Sequence, residues 1–147
     1  LAVHEARHDW ILSIDSDEVA TPELIASIQQ LDPHKTDTVY SIARENHYRG
    51  KRIKCCGWHP DIVTRLFNRT HTRFSDAMVH ESLIIHPHTK KERLEGTLKH
   101  YPFDNVESLI KKMQSYSTLY AEQNDKPSSP LKAFLRALFA FFRNYLL

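Results

Sequence analysis

Three carboxylates within four positions, Asp15, Asp17 and Glu18, follow directly on the apolar run Trp10-Ile-Leu-Ser-Ile14. A short apolar run bounded by turn-forming residues predicts a buried strand. Carboxylates where such a strand leaves its sheet stand where α/β folds place ligand-binding residues. Mg²⁺ or Mn²⁺ takes oxygen ligands and is commonly held by one or two carboxylates together with substrate phosphates. Asp15 and Asp17 are therefore candidate ligands for an ion that neutralises a departing diphosphate. The same Asp-Ser-Asp tripeptide is a good turn and capping sequence, so a solvated turn stays open on these residues alone. His100, closing a later β-like segment, is a candidate further ligand or diphosphate contact, against the reading of an ordinary structural histidine.

The elements that must position these groups are legible in outline. Thr21-Pro22-Glu23 has a capping hydroxyl, a proline for the first helical position and an early carboxylate, and Leu24, Ile25, Ile28 and Leu31 recur at helical spacing. Residues 39–42, 62–67, 79–85 and 94–98 are β-like, separated by turn formers. Residues 105–123 carry apolar side chains at helical spacing behind Asp104 or Asn105 as a cap. Residues 124–130 read as a linker and 131–147 as a second helix. The expected division is a domain over 1–123, the linker, and the terminal helix.

Composition bounds the function. With 147 residues, 41% hydrophobic and 26% charged, the chain fits one globular domain and neither a disordered nor a polytopic membrane protein. Twenty basic and 18 acidic residues leave a formal charge of +2, too balanced to point to a nucleic-acid partner. The two cysteines, Cys55 and Cys56, are neighbours and fit neither a CxxC redox motif nor zinc spacing, which suits a reducing cytosol. Ten histidines are scattered without a zinc pattern. The opening LAVHEARHDW has neither the basic start nor the apolar run of a signal peptide.

The order HDWILSIDSDE, TPEL, RENHYRGKRIKCCGWHPDIVTRLFNR, AMVHESL and LKHYPF, from about Leu1 to Tyr120, resembles the family 2 glycosyltransferases. The likeness is greatest to bacterial enzymes that add a hexose, typically β-glucose, to the inner core of lipopolysaccharide. The resemblance implies the acceptor-side part of a GT-A fold, α/β and Rossmann-like, with a mixed sheet flanked by helices. It implies that Asp15 and Asp17 form the family's D-x-D, with Glu18 behind them, and that Mg²⁺ or Mn²⁺ is the cofactor. A strand bearing an Asn-Glu pair and an Asp-Gly-Ser-like uridine contact, usual in the family, do not occur in this sequence, so the donor-nucleotide half is expected to be missing from it.

For an inverting transfer a carboxylate must take the proton of the attacking hydroxyl. The resemblance places that role on Glu81, beside His80, which could adjust its pKa or hydrogen-bond the acceptor. Asp61 and Asp76 compete for it. Gly57-Trp58-His59-Pro60-Asp61 precedes the strand carrying Arg65. An indole face is a common sugar platform and an arginine suits a diphosphate, so Trp58, Asp61, Arg65 and His80 are candidate substrate contacts, with a core role for Trp58 as the alternative.

In the last segment Lys132, Arg136 and Arg143 fall within roughly 40° on a helical wheel, opposite Phe134, Leu135, Leu138, Phe141, Phe142 and Tyr145. That is the pattern of a helix in an anionic membrane surface, and the apolar run between Arg136 and Arg143 is too short to span. Docking against other parts of a protein is the alternative. The combined expectation is a transferase moving a hexose from a UDP-sugar to a lipid-linked saccharide. Its expected place is the cytoplasm, peripheral on the inner face of the bacterial inner membrane. A metal-dependent phosphoesterase, or an inactive remnant that binds a membrane or partner, are the competing readings.

Overall fold

A computed structural model describes residues 2–75, 83–123 and 129–146 of the chain. The expected strand over 79–85 therefore lies largely outside the described residues. Leu83 forms a single antiparallel bridge with Phe74. The described elements are α1 (Ala2–Glu5), β1 (Trp10–Leu12), β2 (Glu18–Ala20), α2 (Pro22–Gln29), β3 (Thr38–Tyr48), β4 (Lys51–Arg52), β5 (Ile62–Asn68), β6 (Lys90–His100), α3 (Val106–Gln123) and α4 (Pro130–Leu146).

The chain is α/β, and its strands run in the order β1-β5-β3-β6-β2, with β4 hairpinned onto the end of β3. β5 is antiparallel to both β1 and β3, with Trp10 opposite Asn68 and Leu12 opposite Leu66. β2 is antiparallel to β6, with Glu18 opposite His100. The Lys90 amide donates to the Asp37 carbonyl at 3.0 Å and the Ser41 hydroxyl to the Glu92 carbonyl at 3.1 Å. Both contacts advance along the two strands in the same sense, so β3 and β6 are parallel and the sheet is mixed.

Two units divide these elements: residues 1–45 with 61–100, and residues 46–60 with 101–147. In the first, side chains alternate across the sheet with period two. Tyr40, Ile42 and Leu66 turn to one face and meet Leu24, Leu94 and Leu98, with Trp10, Leu12 and Ile28 packed around them. Ile11, Val39 and Phe67 turn to the other and meet Val3, Ala6 and Phe74. A fully buried Leu such as Leu24 contributes roughly 1.5–3 kcal/mol.

Helix α2 begins where the sequence places it. Thr21 is extended, its hydroxyl accepts from the Leu24 amide at 3.4 Å, and Pro22 opens the first turn. The same hydroxyl accepts from the Thr97 amide at 3.2 Å, tying the helix start to β6. Gly96 makes that seam close: its φ is +83°, and a Cβ there would lie 2.3 Å from the Leu24 backbone nitrogen.

In the second unit the Asn46 side-chain amide donates to the Trp58 carbonyl at 3.1 Å. Trp58 meets Phe103 edge-on with ring centres 5.6 Å apart, and Tyr48 meets Phe103 at 5.2 Å. α3 buries none of its side chains, and none in α4 is buried among the described residues. α4 starts at Pro130, one residue before the expected position; residues 124–128 of the expected linker lie outside the described residues.

Candidate functional site

The acidic segment leaves β1 and is folded back on itself by its own last carboxylate. The Asp15 amide donates to Glu18 Oε2 at 3.1 Å, and the Glu18 amide to the Asp15 carbonyl at 3.0 Å. Glu18 is the first residue of β2, a strand that sequence reading missed because three residues between an acidic turn and a helix cap are too few to show alternation. Pairing with β6 forms it, and that pairing turns the Glu18 side chain fully inward.

A buried carboxylate needs cationic partners. Glu18 Oε1 accepts from Arg65 Nη2 at 2.8 Å and from Arg44 Nη1 at 3.1 Å. Each arginine then holds a second carboxylate: Arg65 Nη2 reaches Asp15 Oδ2 at 2.5 Å and Arg44 Nε reaches Asp61 Oδ2 at 2.8 Å. Burial works against the charge on Arg44, but its hydrogen bonds to Asp61 and Glu18 outweigh that and push its pKa above the ordinary value. Arg65 Nε is buried and finds no acceptor among the described residues.

Beside this cluster Asp17 Oδ2 lies 3.4 Å from His100 Nε2. Four carboxylates (Asp15, Asp17, Glu18, Asp61) thus share the site with two guanidiniums, a surplus of negative charge that favours a cation. Only Asp17 and His100 of the three expected metal ligands meet. Asp15, expected as the third, has its Oδ2 held by Arg65 instead. Among the described residues no three His, Cys, Asp or Glu side chains are grouped as a metal site. Of this donor set Asp17 supplies the carboxylate oxygen by which Mg²⁺ or Mn²⁺ is commonly held while substrate phosphates complete the shell.

The expected substrate contacts divide. Asp61 and Arg65 are in the cluster. Trp58 belongs to the other unit, where its ring is half-buried against Phe103. His80, Glu81 and Asp76 lie outside the described residues. Sequence reading passed over Arg44, although a signal was present. Period two from Tyr40 and Ile42 puts position 44 on the same inward-facing side of β3, and a cation there requires a buried carboxylate.

No family model matches the chain. No solved structure matches it either. The chain is 28% identical over 137 residues to an uncharacterized glycosyltransferase of Rickettsia prowazekii (strain Madrid E), an alignment covering 86% of this chain and 47% of that protein. It thus spans about half the length of that relative.

Proposed function

We propose that this chain forms part of a glycosyltransferase, and that it serves the acceptor-side part of a metal-dependent transfer of a hexose, glucose in the first instance, from a UDP-sugar to a lipid-linked saccharide such as a lipopolysaccharide core. The carrying observation is the meeting of Asp17 and His100 beside the Glu18-centred arginine cluster, at the segment that links β1 to β2. The named relative supports glycosyl transfer in general. The family 2 assignment rests on the motif order in the sequence.

In this reading Asp17 and His100 would hold Mg²⁺ or Mn²⁺, with Asp15 adjoining; when bound, the ion offsets charge on the departing diphosphate. Arg65, oriented by Glu18, contributes a donor to the diphosphate, and its unsatisfied Nε gains an acceptor if a phosphate oxygen reaches it. Glu81 takes the proton from the acceptor hydroxyl as its oxygen bonds to C1 of the hexose. The bond from C1 to the diphosphate oxygen breaks on the opposite face, inverting C1 and releasing UDP. Trp58 offers an indole face to the acceptor sugar and His80 a hydrogen bond to it.

Manganese titrated into the chain, followed by electron paramagnetic resonance, tests the metal assignment. Replacing Asp17 by Asn or His100 by Ala should weaken Mn²⁺ binding about tenfold or more, because each removes a donor the ion cannot replace except with water. Unaltered affinity in both variants removes them from the site. The base is tested separately, in a protein that carries a donor-nucleotide half as well: Glu81→Gln should lower kcat on the order of a hundredfold or more while UDP affinity is retained. Undiminished turnover hands the role to Asp61 or Asp76.

A further inference from the structure

On a wheel of 100° per residue, the large apolar side chains of α4 run from Phe141 through Phe134, Tyr145 and Leu138 round to Phe139, an arc of roughly 160°. All of these five are exposed, Phe134 at 64%, Phe139 at 67% and Tyr145 at 78%. A helix packed on a protein core turns inward a stripe upwards of about 100°, and here the arc is wider and none of its side chains is buried among the described residues. Lys132, Arg136 and Arg143 sit together just outside the arc, beyond Phe139, and the remaining flank is small: Ala133, Ala137, Ala140 and Asn144.

Charge decides what fits this face. The helix has three cations and no Asp or Glu anywhere in its 17 residues. Among the described residues no carboxylate pairs with Lys132 or Arg136. Seventeen residues span about 25 Å, short of the roughly 30 Å hydrocarbon layer. No helix of the described residues is long and apolar enough to cross a membrane.

We propose that α4 lies in the plane of an anionic lipid surface, its Phe134, Phe141 and Tyr145 side sunk to the acyl boundary and its three cations at the level of the phosphates. Lysine and arginine suit that position because their aliphatic stems cover apolar surface while the charged ends reach water and headgroups. The inference rests on α4 alone and stands apart from the transfer chemistry.

The test is flotation of the whole 147-residue chain with vesicles of phosphatidylcholine alone and of two parts phosphatidylcholine to one part phosphatidylglycerol. Partition onto the anionic vesicles should exceed that onto neutral ones on the order of a hundredfold, from three cations near the surface. It should fall as salt is raised. Lys132→Glu, Arg136→Glu and Arg143→Glu together should remove the difference. All three are exposed, so the fold of the other elements should be unchanged by circular dichroism. Wild-type protein that stays in the aqueous phase with both vesicles overturns the proposal, as does a triple variant that floats as before. A concentration-dependent dimer that Phe141→Asp disperses, with no flotation, also overturns it and gives the face to a second copy.

Discussion

Replacing Glu18 by Gln is expected to destabilise the chain by about 3 kcal/mol or more, because one oxygen of that buried carboxylate serves two arginines at once. The substitution keeps the shape of the side chain and removes its charge. Arg44 and Arg65, whose side chains are only 21% and 15% exposed, are then left with Asp61 and Asp15 as their carboxylate partners in the cluster. Water cannot make good the loss at sites this enclosed, which is why breaking a buried pair costs more than forming it returns. Urea denaturation measures the change as a lower midpoint at constant slope. The double variant Glu18→Gln with Arg44→Met should recover part of the loss, since the second change removes a cation left short of a partner. A loss below about 1 kcal/mol for Glu18→Gln alone would place the carboxylate in a solvated setting and undo the account of the cluster.

Gly96→Ala is the second change with a large expected effect, a loss of roughly 2–5 kcal/mol from two sources that add. At φ +83° the alanine pays the left-handed backbone penalty, and its Cβ would stand 2.3 Å from Leu24 N and 2.7 Å from Leu24 Cα. Those are backbone atoms in the first turn of α2, so no side-chain rotation relieves the contact, and the helix must move off β6. Leu24 is fully buried in the core between them, so the movement also loosens Tyr40, Ile42 and Leu98. Gly50→Ala serves as the control: its φ is +79°, but nothing lies within 4 Å of the added carbon, so only the backbone penalty applies. Equal thermal shifts for the two variants would show that the seam between α2 and β6 is not close-packed.

Neither effect bears on chemistry directly, yet both bear on the site. α2 and β6 frame β2, and β2 delivers Glu18 to the arginines and sets Asp17 beside His100. A helix displaced by Gly96→Ala should therefore weaken Mn²⁺ binding as well as stability, whereas Gly50→Ala should leave it unchanged.

Much of this arrangement was legible from residue types. The start of α2 followed from Thr21, Pro22 and Glu23, because capping is a local hydrogen bond that needs no tertiary partner. β5 followed from the apolar run over 62–67, and α4 from its spacing. The acidic segment stood out from Asp15, Asp17 and Glu18, although those residues alone left a solvated turn open. The strand expected over 10–14 closes at Leu12, although the Ser13 amide still donates to the Arg65 carbonyl at 2.8 Å. β3 and β6 each run to 11 residues, well past the apolar stretches that announced them, because ladder hydrogen bonds continue through polar positions once a neighbour is in register.

By itself the sequence determined the start of α2, the strand β5 and the helix α4 by local rule, where the carboxylates gather, and that the last helix has a basic side and a broad apolar one. These are properties of near neighbours, set by capping, period and charge. Only the tertiary structure decided that Glu18 is buried between Arg44 and Arg65, that Asp15 faces Arg65 while Asp17 faces His100, and that Gly96 must lack a side chain. Each of those depends on which distant strand lies alongside. Register is a long-range choice, and a single-residue shift would turn Glu18 to the opposite face of the sheet.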